Sequence, residues 1–170
     1  PPADAVKFDD AEAKPSKIVP KSLKDHVADS IARLPFQPDK PIAITNTEGI
    51  VTLSGKAASS YEAMLIFRAA QQTPGVRGVV DHLQFPLPED DAKSPLLEKG
   101  RPEDVQPYLA DHIRKNLGDS AHVDRVVLRG NTLEVHGSVR QAVDQKRVAA
   151  ILRSMPILRG FQIQPFFRVN

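Results

Sequence analysis

Glu48-Gly49-Ile50-Val51-Thr52-Leu53-Ser54-Gly55 reads as a turn followed by a returning strand, and a stretch of the same design lies 82 residues further on. Val51-Thr52-Leu53-Ser54-Gly55 falls on Leu133-Glu134-Val135-His136-Gly137. At the same offset, Pro74-Gly75-Val76-Arg77-Gly78 falls on Pro156-Ile157-Leu158-Arg159-Gly160. Leu23, Val27, Ala28, Asp29 and Ile31 fall on Val105, Leu109, Ala110, Asp111 and Ile113. Three separated matches at one offset without gaps mark an internal duplication, and the duplication sets the architecture.

Working outward from the strand, each copy shows the same order of elements. An amphipathic helix comes first, with Leu23, Val27, Ile31 and Leu34 on one face of copy one and Val105, Leu109, Ile113 and Leu117 in copy two. Ser22 with Asp25 forms a capping-box pattern at the first start, and Pro102 suits the second. A hairpin follows: Ile42 and Ile44, the turn Asn46–Gly49, then Ile50–Leu53; in copy two, Val126–Leu128, Gly130-Asn131 and Thr132–Val135. Second helices run from Tyr61 to Gln72 and from about Ala142 to Ser154, each ended by a proline, Pro74 or Pro156. Last strands run from Val76 to Phe85 and from Leu158 to Phe167. The fold class is therefore α+β: two tandem αββαβ two-layer domains, each a three-stranded mixed sheet packed against two helices.

The expected division is an extended arm over 1–20, a first domain over 21–86, a Pro- and charge-rich linker over 87–102 and a second domain over 103–170. Leu96-Leu97 is the one part of the linker that reads as able to dock on a domain. The chain opens Pro1-Pro2-Ala3-Asp4 without Met, which reads as a mature or trimmed product.

The net charge of +2 on 170 residues predicts no strong pull toward nucleic acid. The absence of cysteine excludes disulfides and thiolate-held metals and fits either redox compartment. No apolar run approaches the roughly 20 residues that span a bilayer.

The turn and strand from Glu48 to Gly55, the helix after it and Pro74-Gly75-Val76-Arg77-Gly78-Val79 together resemble a BON domain, the bacterial osmotic-shock and nodulation family. Copy two departs from the pattern at Gly130-Asn131 and at Ile157-Leu158, so its resemblance runs mainly through the repeat. The resemblance implies the same αββαβ fold in a tandem-domain protein of the bacterial periplasm or cell envelope. It also implies phospholipid binding, envelope maintenance or a place in a secretion assembly, and it brings no catalytic residue with it.

The chemistry-bearing residues have simpler readings. His26, His82, His112, His122 and His136 show no helical i, i+4 spacing of a zinc pair, so no metal or cofactor is expected. His136, Ser138 and Asp144 tempt toward a triad but lack a nucleophile-elbow glycine pattern. Gly75–Gly78 matches a backbone-clamping GxxG, yet it joins a helix to a strand rather than two helices, so no nucleic acid is expected. What stands out is charge asymmetry: residues 121–170 carry eight Lys and Arg against three Asp and Glu, whereas residues 1–86 balance at ten of each. Tyr108, Arg114, Lys115, Arg147 and Arg153 are the residues expected to meet an anionic phospholipid surface or a protein partner. The expected function is a non-enzymatic envelope-associated scaffold, a subunit of an assembly or homo-oligomer, with peripheral phospholipid binding as the alternative. Phe161, Phe166, Phe167 and Val169 are expected to be core on at least one face of the last strand, which as an edge strand could also extend a partner's sheet.

Overall fold

Helix α1, Leu23–Ala32, starts at Ser22, in a computed structural model that describes residues 20–89 and 92–170. The Ser22 hydroxyl accepts from the Asp25 amide at 3.2 Å, and the Asp25 carboxylate accepts from the Ser22 amide at 3.4 Å. This reciprocal cap satisfies two of the orphan donors at the helix start. Ser22→Ala should therefore cost about 1 kcal/mol, read as a lower urea midpoint at unchanged m.

Strands β1 (Ala43–Thr47) and β2 (Ile50–Lys56) pair antiparallel across the two-residue turn Glu48-Gly49. Both turn residues have positive φ, 52° and 87°, the hairpin turn whose twist matches that of the strands. Helix α2 (Ser60–Gln71), capped by Ser59, carries the chain back so that β3 (Gly78–Gln84) lies parallel to β2. The first sheet has the order β1-β2-β3.

The second unit repeats this plan with α4 (Pro102–Leu117), β4 (His122–Arg129), β5 (Thr132–Val139), α5 (Ala142–Ser154) and β6 (Gln162–Val169), in the sheet order β4-β5-β6. The molecule is α+β, with two mixed three-stranded sheets, as the duplication predicts. Val51, Leu53 and Val79 are buried beside Val27, Ile31, Ile66 and Phe67 in one unit; Leu133, Val135 and Phe167 beside Leu109, Ile113, Val148 and Leu152 in the other. Outside this core, Phe166 is 50% and Val169 45% exposed, so of the terminal apolar group only Phe161 and Phe167 are buried.

Three features differ from the sequence reading. First, the offset is not constant. Ile50 faces Gly78, whereas Thr132, 82 residues on, faces Gln162, which is 84 residues beyond Gly78. The cause is a 3₁₀ turn at Pro156–Leu158 that buries Ile157 and Leu158 and delays the strand expected from Leu158. A slip of two preserves the pleat, so the buried pair Val79 and Leu83 corresponds to Ile163 and Phe167. Second, the hairpin of unit two is longer than read, with a bulge between Val123 and Arg125. Third, the segment read as a linker contains helix α3, Pro95–Lys99, packed on α2 with Leu96 fully buried.

Candidate functional site

Helix α4 has two working faces. Val105, Leu109, Ile113 and Leu117 cover the second sheet, while Tyr108, His112 and Lys115, at helical spacing, turn toward unit one. Tyr108 is 2% exposed, with its ring edge-on to Phe67 of α2 at 5.3 Å and to His112 at 4.6 Å. Asp81 of β3 lies beneath them, its side chain 3% exposed. It accepts from the Leu83 amide at 2.9 Å, stands 3.0 Å from His112 Nε2 and accepts a long bond from the Tyr108 hydroxyl at 3.4 Å. An ionised Asp81 requires the proton on His112 Nε2. Burial, and then the Asp81 carboxylate, push the Tyr108 phenol above its ordinary range, so it remains a neutral donor. Lys115 donates to the Val79 carbonyl at 2.6 Å, pairs with Asp111 at 2.9 Å and lies 5.6 Å over the Phe67 ring. Arg68 of α2 pairs with Asp104 of α4 at 3.0 Å. Helix α4 thus binds the two units together.

This placement corrects one of the five predicted residues. Tyr108 is sealed between the units and cannot touch a membrane or a partner, because the second face of α4 is occupied by unit one. Lys115 bonds into the same junction, yet its side chain remains 45% exposed. Arg114, Arg147 and Arg153 are exposed, and Arg147 pairs with Asp144 at 3.4 Å. On α5, Lys146 and Arg153 are two turns apart on one stripe, and Val143, 59% exposed, lies near Arg147. The structure therefore gathers Arg147 and Arg153 with Lys146 and Val143 on one helix, while Arg114 belongs to another. The repeat carries the missing signal for the junction. Tyr108 and His112 stand where copy one has His26 and Ser30, and Phe67 stands where copy two has Ala149.

The open face of the second sheet forms a shallow concavity around Phe166. His136 stacks on the Phe166 ring at 4.8 Å and lies 3.0 Å from Glu134, rather than bonding Ser138. Asp144 is engaged with Arg147, so His136, Ser138 and Asp144 are not assembled for catalysis. Arg168 bonds Asp124 at 2.7 Å and holds its carboxyl below the ordinary range; His136, with Arg129, does the same for Glu134. Their stabilisation is full above the ordinary carboxylate range and lost as pH falls through the lowered values. Among the described residues, no three His, Asp or Glu are grouped to hold a metal ion, and no helix is long and apolar enough to cross a membrane.

Residues 21–86, the first unit, match the BON domain family; the match does not extend to unit two. No curated protein matches the chain. Among solved structures, the chain is similar to one of CdsD, a structural protein of the type III secretion system of Chlamydia trachomatis. The identity is 14%, the coverage 86% of this chain and 91% of that one, and the TM-score 0.30. A second, of the CdsD C-terminal domain, has 15% identity, coverage of 90% and 100%, and a TM-score of 0.34.

Proposed function

We propose that this chain is a non-enzymatic binding and scaffold protein that acts as a subunit of a larger protein assembly at the bacterial envelope, in the periplasm. The observation that carries this reading is the junction through α4. It joins a BON domain to a second αββαβ unit of different surface chemistry, so one body presents two unlike faces. Unit one offers a sheet face that includes Thr45, Thr47, Ile50, Thr52 and Ser54; unit two offers Phe166 among charged residues and a basic α5. The BON match over residues 21–86 supports the envelope location. Size-exclusion chromatography with light scattering on native extract should find the chain in a complex several times its own 18.7 kDa. A free monomer that co-purifies with nothing contradicts the proposal.

A second reading rests on α5. The exposed Val143 beside Lys146, Arg147 and Arg153 suits peripheral contact with anionic phospholipid. Vesicles containing phosphatidylglycerol should then float the wild-type chain at low salt but not a Lys146→Glu/Arg153→Glu variant. Equal flotation with neutral vesicles sinks this reading.

A further inference from the structure

Among the described residues, two three-stranded sheets leave four edge strands, and three of them carry visible blocks. The β3 edge lies against α4, and the Val79 carbonyl is taken by Lys115. On β6, the Gln162 and Asn170 amides bond toward β5, so odd-numbered residues face outward. Pro165, one of these, has no N–H to offer, and the outward Phe167 carbonyl is taken by Gln145 at 2.7 Å. This last strand is therefore poorly suited to extend a partner's sheet. On β4, the edge is bent by the bulge before Arg125, and the outward Leu128 amide donates to the Gln106 side chain of α4 at 3.0 Å.

The fourth edge, β1, is built differently. Its register with β2 runs unbroken from Ala43 to Thr47, and Thr47 faces Ile50 across the two-residue turn. In such a hairpin the pair flanking the turn is hydrogen-bonded inward, so Ile44 and Asn46 present their amides and carbonyls outward. The duplication makes the comparison residue by residue. Asn46 corresponds to Leu128, and the residue of α1 that corresponds to Gln106 is Lys24. Glutamine accepts the edge amide in unit two; lysine has no acceptor and cannot. Among the described residues, the Asn46 amide finds no acceptor. Lys24, the residue of α1 that corresponds to Gln106, is exposed.

We infer that β1 is a strand-addition site for an extended segment of a protein partner that carries a carboxylate. Main-chain bonds to Ile44 and Asn46 supply affinity, and Lys24 selects a Glu or Asp over a basic residue. Proteins blunt edges that must stay unpaired. Here the blunting residue present in unit two is exchanged in unit one for one that attracts an acidic strand.

The test uses the full chain and a synthetic peptide of about six alternating Val and Thr residues with one central Glu, beside the same peptide with Lys. Site-resolved amide exchange should show Asn46 and Ile44 exchanging fast in the free protein and protected when the Glu peptide is present. The Lys peptide should bind about tenfold more weakly, on the scale of one charge-assisted contact. Lys24→Gln should cap Asn46 as Gln106 caps Leu128, protecting its amide without peptide and weakening the Glu peptide by a similar factor. Gln106→Lys should release the Leu128 amide. The proposal is overturned if saturating Glu peptide leaves Asn46 and Ile44 unprotected, or if Lys24→Gln binds as the wild type does. It is overturned too if Asn46 becomes protected with rising protein concentration alone, since a second copy is then the occupant.

Discussion

Tyr108→Ala should cost about 3–5 kcal/mol and split the unfolding of this protein into two transitions. The ring is 2% exposed and fills the space between Phe67, His112 and Asp81, so truncation opens a cavity where α4 packs its rings against α2. Removing the hydroxyl alone is a different experiment. Its bond to Asp81 is 3.4 Å long, beyond the usual O–H···O range, and Asp81 keeps the Leu83 amide and His112. Tyr108→Phe should therefore cost about 1 kcal/mol or less, because the ring and not the hydroxyl carries the energy. Urea unfolding followed by far-UV circular dichroism checks both. A single transition for Tyr108→Ala at an unchanged midpoint contradicts the role assigned to the junction.

Gly137→Val should be as damaging, at about 4 kcal/mol. A Cβ at this position runs into the His122 carbonyl across the hairpin and comes within 2.7 Å of the Phe167 ring. The obstacle is backbone, drawn close where β4 bulges before Arg125, so a rotamer change cannot relieve it. The matching glycine of unit one, Gly55, is needed for another reason. Its φ of 136° is one that side-chain-bearing residues avoid, while the neighbour of its added Cβ is the yielding Ile42 tip at 3.2 Å. Because the α4 junction stays intact, urea unfolding of Gly137→Val should show one transition at a lower midpoint, reported alike by amides of both sheets. An unchanged midpoint contradicts the close approach.

The sequence exposes some of this and hides the rest for definite reasons. The helix faces, hairpins and caps are legible because each depends on neighbours in the chain: Ser22 with Asp25, Glu48 with Gly49, Val105 with Leu109 and Ile113. The slip of the last strand is not, because Pro156 lies on Pro74 at the constant offset and a shift of two leaves the inward–outward alternation unchanged. Helix α3 is masked by the Pro and charge content of its surroundings, although Leu96-Leu97 signals a docking point. Tyr108 misleads most. An aromatic off the core face of a helix reads as a ligand contact when the surface that covers it, Asp81 and Phe67, comes from 27 and 41 residues earlier in the chain. The basic residues of α5 fare better, since Arg147 and Arg153 are exposed on a helix that the sequence already delimits.

Helix α4 should make one cooperative body of the two repeats, and native-state amide exchange of the full chain reads this out. The slowest amides of β2 and β5 should share one opening free energy, and Tyr108→Ala should separate them. Distinct opening energies in the wild type, unchanged by Tyr108→Ala, would contradict it.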